Sequence, residues 1–350
     1  MNTIQLKILK YLLLFLMYNI ACFKDSVTKV PEIIFKEEIF ISDDYYFGKN
    51  EALNKPSAIR ENPVTNEIVV CDFGNNCLYF FDNNGNFIRK VGQIGQGPGD
   101  FLGNRVLEID KDGEIYVLED FNMRISVLSK YGEYISSFRV NGYSRFSTYF
   151  ITDKKEILIN MPENGYFITI LNRKGETVNK IGPISEEIKK YVPLFSPFTV
   201  SYIFYDNIGE NYYVFVPGLR LINVYGVNFE MKKSVKINEL LKGHYIKEIY
   251  TPYQKFREYE AGRVGIRTTN LMQNVFYNGN YFFIKYLPDY EKDDAVIIVL
   301  DKELNLKEKL ILNAPKTKIK YSDDFIVLNN NTILFPIQQA KVIKFLPLKK

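Results

Sequence analysis

The sequence predicts an all-β chain built from repeated four-stranded units, and three observations carry that expectation. The first is an internal repeat: EIVVCDFGNNCLYFFDNNGN (67–86) and EIYVLEDFNMRISVLSKYGE (114–133) share one pattern 47 residues apart. Ile68 matches Ile115, Val70 matches Val117, Asp72 matches Glu119, Asn75 matches Asn122 and Gly85 matches Gly132. The second is the rhythm inside each copy: a short apolar strand, a polar turn, another apolar strand, then a hairpin closed by Gly. The third is an aromatic content of 15%, all Tyr and Phe, which suits pleated surfaces packed between sheets. Self-similarity at this period, with four strands per unit, is the mark of a propeller blade.

Taken in order, EIIFKEEIFIS (32–42) precedes the first complete blade and is expected to give an outer strand to the last one, closing the ring. The first blade spans roughly Pro56 to Gly92, with a hairpin turn at DNNG (82–85), where the residues tolerate positive φ. A glycine-rich loop, GQGPGDF (95–101), leads into the second blade at 105–138, whose first two strands are separated by the DKDG turn (110–113). The third blade is expected at 149–182. A connection at 184–198 leads to the fourth, whose middle and outer strands lie in 211–237. Segments 274–287 and 295–312 form the fifth, and 323–348 supplies three strands of the sixth. The result is an all-β, six-bladed β-propeller. One segment departs from the β pattern: 238–270 carries Leu240, Leu241, Tyr245 and Ile249 at near-helical spacing, and reads as a partly helical insertion between blades four and five.

Composition narrows the function. The chain has 350 residues and a net charge of +4, spread without any Lys/Arg block, so the electrostatic footprint of a nucleic-acid binder is missing. Its first residues differ in kind from the rest. Lys7 and Lys10 precede the apolar run YLLLFLM (11–17), followed by Asn19, Ile20, Ala21 and Cys22. A basic region, a short apolar stretch and a small residue before the cut are the parts of a secretory signal peptide, here 1–21. The run is too short to span a bilayer. Cys22 after Ala21 resembles the lipobox of bacterial lipoproteins, with Asn19 departing from its usual aliphatic residue; an ordinary signal peptide is the alternative. The resemblance implies acylation at Cys22, a tether over 22–31 and a propeller domain over 32–350. Export also permits a disulfide between Cys71 and Cys77, which bracket the turn DFGNN (72–76), although geometry decides whether it forms.

The second blade carries a family resemblance. GQGPGDFLGNRVLEIDKDGEIYVLEDFNMRISVLSKYG (95–132) resembles an NHL-type propeller repeat. Gly95, Gly97, Pro98, Gly99 and Phe101 match its loop, Asp110 and Gly113 its turn, and Asn122, Arg124 and Ile125 its last strand. Glu119 replaces the usual Asp, and Cys77 replaces the Arg in the first blade. With the lipobox-like start, the chain is similar to bacterial six-bladed, TolB-like propeller lipoproteins. That resemblance implies fold and location at the cell envelope more than activity.

Catalysis has few candidates. His244 is the single His, in a polar setting, so the multi-histidine zinc site of some propeller lyases cannot be assembled. No nucleophile elbow, zinc-protease motif or phosphate loop is present. Propeller lactonases hold calcium with oxygen ligands, for which Glu108, Asn104 and Asn274 are candidates; the run PDYEKDDA (288–295) is a weaker cation site, more simply a charged hairpin tip. The insertion offers Tyr250, Tyr253, Phe256, Arg257, Tyr259, Arg263 and Arg267, a mix suited to binding carboxylates or phosphates beside a propeller mouth. Arg105 and Arg60, expected near inner-strand starts, are candidates to face the channel. The sequence thus favours a monomeric, lipid-anchored, non-enzymatic module holding an envelope protein, peptide or glycan, with Arg105, Tyr253, Arg257, Arg263 and Arg267 as ligand-binding candidates and no cofactor. A calcium-dependent hydrolase or lactonase is the alternative.

Overall fold

The computed structural model describes residues 30–41, 52–142, 148–185, 201–241, 256–259, 263–266, 272–286, 295–313, 324–337 and 341–347. Blade one comprises β2 (Pro56–Glu61), β3 (Ile68–Asp72), β4 (Cys77–Phe81) and β5 (Phe87–Val91), each hydrogen-bonded antiparallel to the next. Blade two repeats this with β6 (Asn104–Ile109), β7 (Ile115–Glu119), β8 (Arg124–Leu128) and β9 (Tyr134–Arg139). Blade three is β10 (Tyr149–Ile151), β11 (Ile157–Ile159), β12 (Tyr166–Leu171) and β13 (Thr177–Pro183). Blade four is β14 (Tyr202–Asp206), β15 (Asn211–Val216), β16 (Leu221–Tyr225) and β17 (Met231–Lys236). After a hairpin of β18 (Phe256–Tyr259) and β19 (Arg263–Ile266), blade five follows as β20 (Met272–Tyr277), β21 (Phe282–Tyr286), β22 (Ala295–Leu300) and β23 (Leu306–Asn313). β24 (Ile326–Val327), β25 (Ile333–Ile337) and β26 (Lys341–Pro347) form three strands of blade six.

The fourth strand of blade six is β1 (Glu32–Ile41), which pairs antiparallel with β26 from Phe35↔Pro347 to Ile41↔Val342. The expected closure by the N-terminal segment is therefore present. The same strand does more: its first half runs parallel to β23, from Glu32↔Lys309 to Lys36↔Asn313. One strand thus welds the outer edges of blades five and six into a single eight-stranded sheet. Closure of this kind covers the outer edge of blade six and the Lys309–Asn313 part of the edge of blade five.

The core follows from a period of two. Ile68 and Val70 of β3 pack in one apolar cluster with Ile326, Leu334 and Val342 of blade six. Their chain neighbours Val69 and Cys71 pack in another with Leu107, Ile115 and Val117 of blade two. Successive side chains leave opposite faces of a strand, so each blade is apolar on both faces and lies between two others. The remaining clusters repeat the arrangement between blades two and three, three and four, four and five, and five and six. Middle strands carry most of this packing: β3, β4, β7, β21 and β25 are buried at every position. Full burial of each such Ile, Leu, Val or Phe contributes about 2 kcal/mol.

Two sequence expectations are corrected here. Cys71 and Cys77 are both free and buried. Cys71 stands opposite Leu78 and Cys77 opposite Asp72, so the two thiols leave opposite faces of the blade and enter different interfaces. No bridge can form in that register. Among the described residues of the insertion, helix is limited to one turn at Ile237–Leu240, and the other regular structure is β, the β18–β19 hairpin. The near-helical spacing that suggested more, at Tyr245 and Ile249, lies outside the described residues.

Phe35 is 1% exposed and packs among residues of both blades that β1 joins. Phe35→Ala is expected to destabilise the protein by about 3 to 5 kcal/mol, measured by denaturant unfolding, with a cavity and a loosened closure as the causes.

Candidate functional site in the central channel

The first strand of each blade faces the ring centre: β2 touches β6 and β24, β10 touches β6 and β14, and β14 touches β20. Each first strand starts at the face that carries the inter-blade connections, here called the loop face, and ends at a short turn on the other face. Arg60 lies one residue from the turn end of β2, and Glu108 one residue from the turn end of β6. The sequence reading placed Arg60 near a strand start; the observed ends of β2 put it near the finish.

Arg60 is the centre of an ion triad reaching across three blades. Its Nη2 donates to Glu108 Oε1 of blade two at 2.5 Å and its Nη1 to Asp324 Oδ2 of blade six at 2.5 Å. Nε completes a fork with Glu108 Oε2 at 3.0 Å. Asp324 also accepts the backbone N–H of Ile59 at 3.0 Å, and its other oxygen accepts from Asn274 Nδ2 of blade five at 3.4 Å. Blades five, six, one and two are thereby linked by polar contacts at the inner wall. The three side chains are between 11% and 19% exposed, dry enough for the charges to matter.

The balance of charge in the triad is two carboxylates to one guanidinium. Burial pushes both the Glu108 and Asp324 carboxyls above their ordinary range, against the opposing pull of Arg60. Burial also works against the charge on Arg60, but Asp324 and Glu108 outweigh it and hold the guanidinium firmly protonated. Beside the triad, the buried Tyr149 hydroxyl donates to Tyr116 O at 2.7 Å, and burial raises its pKa well above that of an ordinary phenol. Lys285 is fully buried across the strand pair from Asn274, with Nζ 5.6 Å from the Phe335 ring centroid.

Nearer the loop face, Arg105 on β6 lies 3.7 Å from Asp120, whose side chain is almost buried. Asn104 does not join the channel chemistry. Its Nδ2 donates to Cys77 O at 3.0 Å and contacts Cys71 Sγ at 3.1 Å, tying blade two to blade one. The repeat-defining residues are likewise spent on architecture. Arg124 donates to Gln96 O, Gly97 O and Asp100 O of the glycine-rich loop and to the fully buried Glu119. Asn122 bonds Gly95 O and Glu119, while Ser126 and the Leu102 N–H also donate to Glu119. In blade one, Asp72 plays the same part through the N–H groups of Asn54, Lys55, Gly74 and Asn75.

The structure thus brings Arg60, Glu108 and Asn274 together. Among the insertion candidates, Arg257 lies on β18 and Arg263 on β19, the latter pairing with Tyr259 across the hairpin. Tyr253, Arg267, His244 and the acidic run 288–294 lie outside the described residues, as does Cys22. Among the described residues no group of three or more His, Cys, Asp or Glu side chains is arranged to hold a metal. Sequence reasoning missed Asp324 and Lys285. Both had a local signal, since each is a charge set directly against an apolar run, DD before FIV and a single Lys in FFIKY.

Six packed blades around an inner wall of paired charges define the class: the chain is a six-bladed β-propeller. Over residues 51–328 it matches the family model DUF5128, 6-bladed beta-propeller, and it belongs to that family. No curated protein matches it significantly. Solved structures similar to it share the fold at low identity. One is a Bacteroides fragilis protein described as exported, at 12% identity, TM-score 0.57, covering 91% of this chain and all of that one. Another is a DUF4221 family member from Bacteroides vulgatus, at 13% identity, TM-score 0.56, with 92% and 99% covered. A third is virginiamycin B lyase from Staphylococcus aureus, at 11% identity, TM-score 0.54, with 90% and 100% covered.

Arg60→Met is expected to cost about 3 to 5 kcal/mol near neutral pH, because two buried carboxylates then face each other without a cation. A carboxyl whose folded pKa is raised favours the folded state at low pH and loses that contribution as pH rises through the folded value. The penalty of Arg60→Met should therefore shrink as the solution is acidified, whereas Glu108→Gln, which leaves a one-to-one pair, should stay within about 1 kcal/mol of the parent. Chemical denaturation at several pH values reads both.

Proposed function

We propose that this propeller is an exported, lipid-anchored and non-enzymatic binding module that holds a protein, peptide or glycan partner at the cell envelope. The observation that carries the reading is the state of the channel charges. The Arg60 guanidinium already takes up the oxygens of Glu108 and Asp324 that a calcium ion would need. A cation there would have to displace an arginine engaged with both carboxylates. Arg105 is likewise held near Asp120, so the inner wall is braced rather than poised for bond breaking. This supports a rigid ring whose faces bind, over a calcium-dependent hydrolase or lactonase.

Export and anchoring rest on the basic, apolar and small-residue order that ends at Cys22. Binding candidates on this reading are Arg105 at the loop end of the channel and the insertion residues Tyr253, Arg257, Arg263 and Arg267.

A calcium site in the folded state would raise the melting temperature when calcium is added, by linkage. No shift is expected with millimolar calcium or with chelator; a clear upward shift abolished by Glu108→Gln would replace this reading with the hydrolase. For the anchor, Cys22→Ser should move the protein from the membrane to the soluble fraction, and unchanged membrane retention would remove Cys22 as the acylated residue.

A further inference from the structure

The loop face at blades one and two carries apolar side chains on backbone that is held from beneath. Ile94 is 68% exposed, Phe121 53% and Met123 48%. The Asn122 amide reaches Gly95 O at 3.1 Å, which brings the chain on either side of Asn122 beside the chain next to Ile94. Phe121 lies over Gly103, where a Cβ would meet its ring at 2.5 Å, and continues to Phe73 with ring centroids 6.3 Å apart. Phe73 and Phe121 are thus in ring contact, and the Asn122–Gly95 bond sets the Ile94 and Met123 backbone beside them on the same face, a grouping here called the ledge.

Three features separate this ledge from ordinary scattered apolar exposure. Arg124 fixes the 95–101 loop by three carbonyl bonds, so the ledge loses little entropy when covered. Met123 sits at φ 48°, a left-handed position that favours Gly or Asn. The matching turn residue in blade one is Asn76, at φ 50°, so blade two keeps an exposed, adaptable Met where the backbone asks for something smaller. Finally, both ends of the ledge are cationic. Exposed Lys55 stands 5.1 Å from the Phe73 ring centroid. Exposed Arg139 ends β9 opposite Arg124, next to Val140, whose N–H bonds Met123 O. Neither cation pairs with a carboxylate among the described residues.

We propose that the Phe73–Phe121–Ile94–Met123 ledge docks an extended, acidic segment of a partner protein, its apolar side chains on the ledge and its carboxylates toward Lys55 and Arg139. This deepens the binding reading above by naming the face used and the chemistry of the partner. Rigid apolar anchors inside a polar rim are where binding energy concentrates, and the rim charges set orientation and choice of partner.

The test is photo-crosslinking in the native cell, with p-benzoyl-phenylalanine in place of Met123, in place of Arg105, or in place of Ile208, an 87% exposed control in the first turn of blade four. The expected result is a discrete adduct from position 123, absent from position 208, that maps to an acidic segment with apolar residues. Its yield should fall at least about fivefold in a Lys55→Glu, Arg139→Glu background with an unchanged melting temperature. An adduct on a neutral or basic segment, on a second copy of this chain, or insensitive to the charge reversals overturns the proposal. An adduct from position 105 alone overturns the ledge while leaving the binding reading standing. Silence at both positions sinks both.

Discussion

The structure depends on one constraint: every blade is apolar on both faces. An ordinary antiparallel sheet can leave one face to water, but strands such as IVVCD and CLYFF bury every residue. A blade alone would expose two hydrophobic surfaces, and a row of blades would still expose one at each end. Only a closed ring satisfies all of them. Stability is therefore a property of the closure, and the strand that completes blade six matters to blades far from it in the chain.

The polar interior makes sense in the same terms. Inner strands converge on the axis, where the apolar plates leave little room and backbone groups approach each other. Arg60 reaches into blades two and six at once, Tyr149 ties blade three to blade two, and Asn104 ties blade two to blade one. A long, forked cation can satisfy partners on two sides in a way that no aliphatic side chain can. The excess carboxylate in the triad gives this junction an acid-sensitive character that the apolar interfaces lack.

Much of the fold was legible because its cause is periodic. The 47-residue duplication, the glycine turns and the order of the blades are local patterns repeated along the chain, and closure by residues 32–42 followed from a missing strand. What escaped was set by distance and register. The Cys71 and Cys77 spacing suggested a bridge, but the turn pairs Cys71 with Leu78, so their shared hairpin separates them. Arg60, Glu108 and Asp324 come from three blades, and no local pattern states that they meet. Arg124 and Asn122 stood out as motif residues, and their partners turned out to be loop carbonyls and the buried Glu119. Of the insertion candidates, Arg257 and Arg263 lie on the two paired strands of the β18–β19 hairpin, a β element where the sequence pattern suggested helix.

β1 also has a mechanical meaning. It lies between β23, which it meets parallel, and β26, which it meets antiparallel, and the chain enters it from the N-terminal side. Ladder bonds run across a strand, so a pull along the chain from Glu32 loads both ladders in shear instead of peeling one bond at a time. Load arriving from the N-terminus is shared at once by two blades. The strand that closes the ring is thus also the one through which such a load enters it.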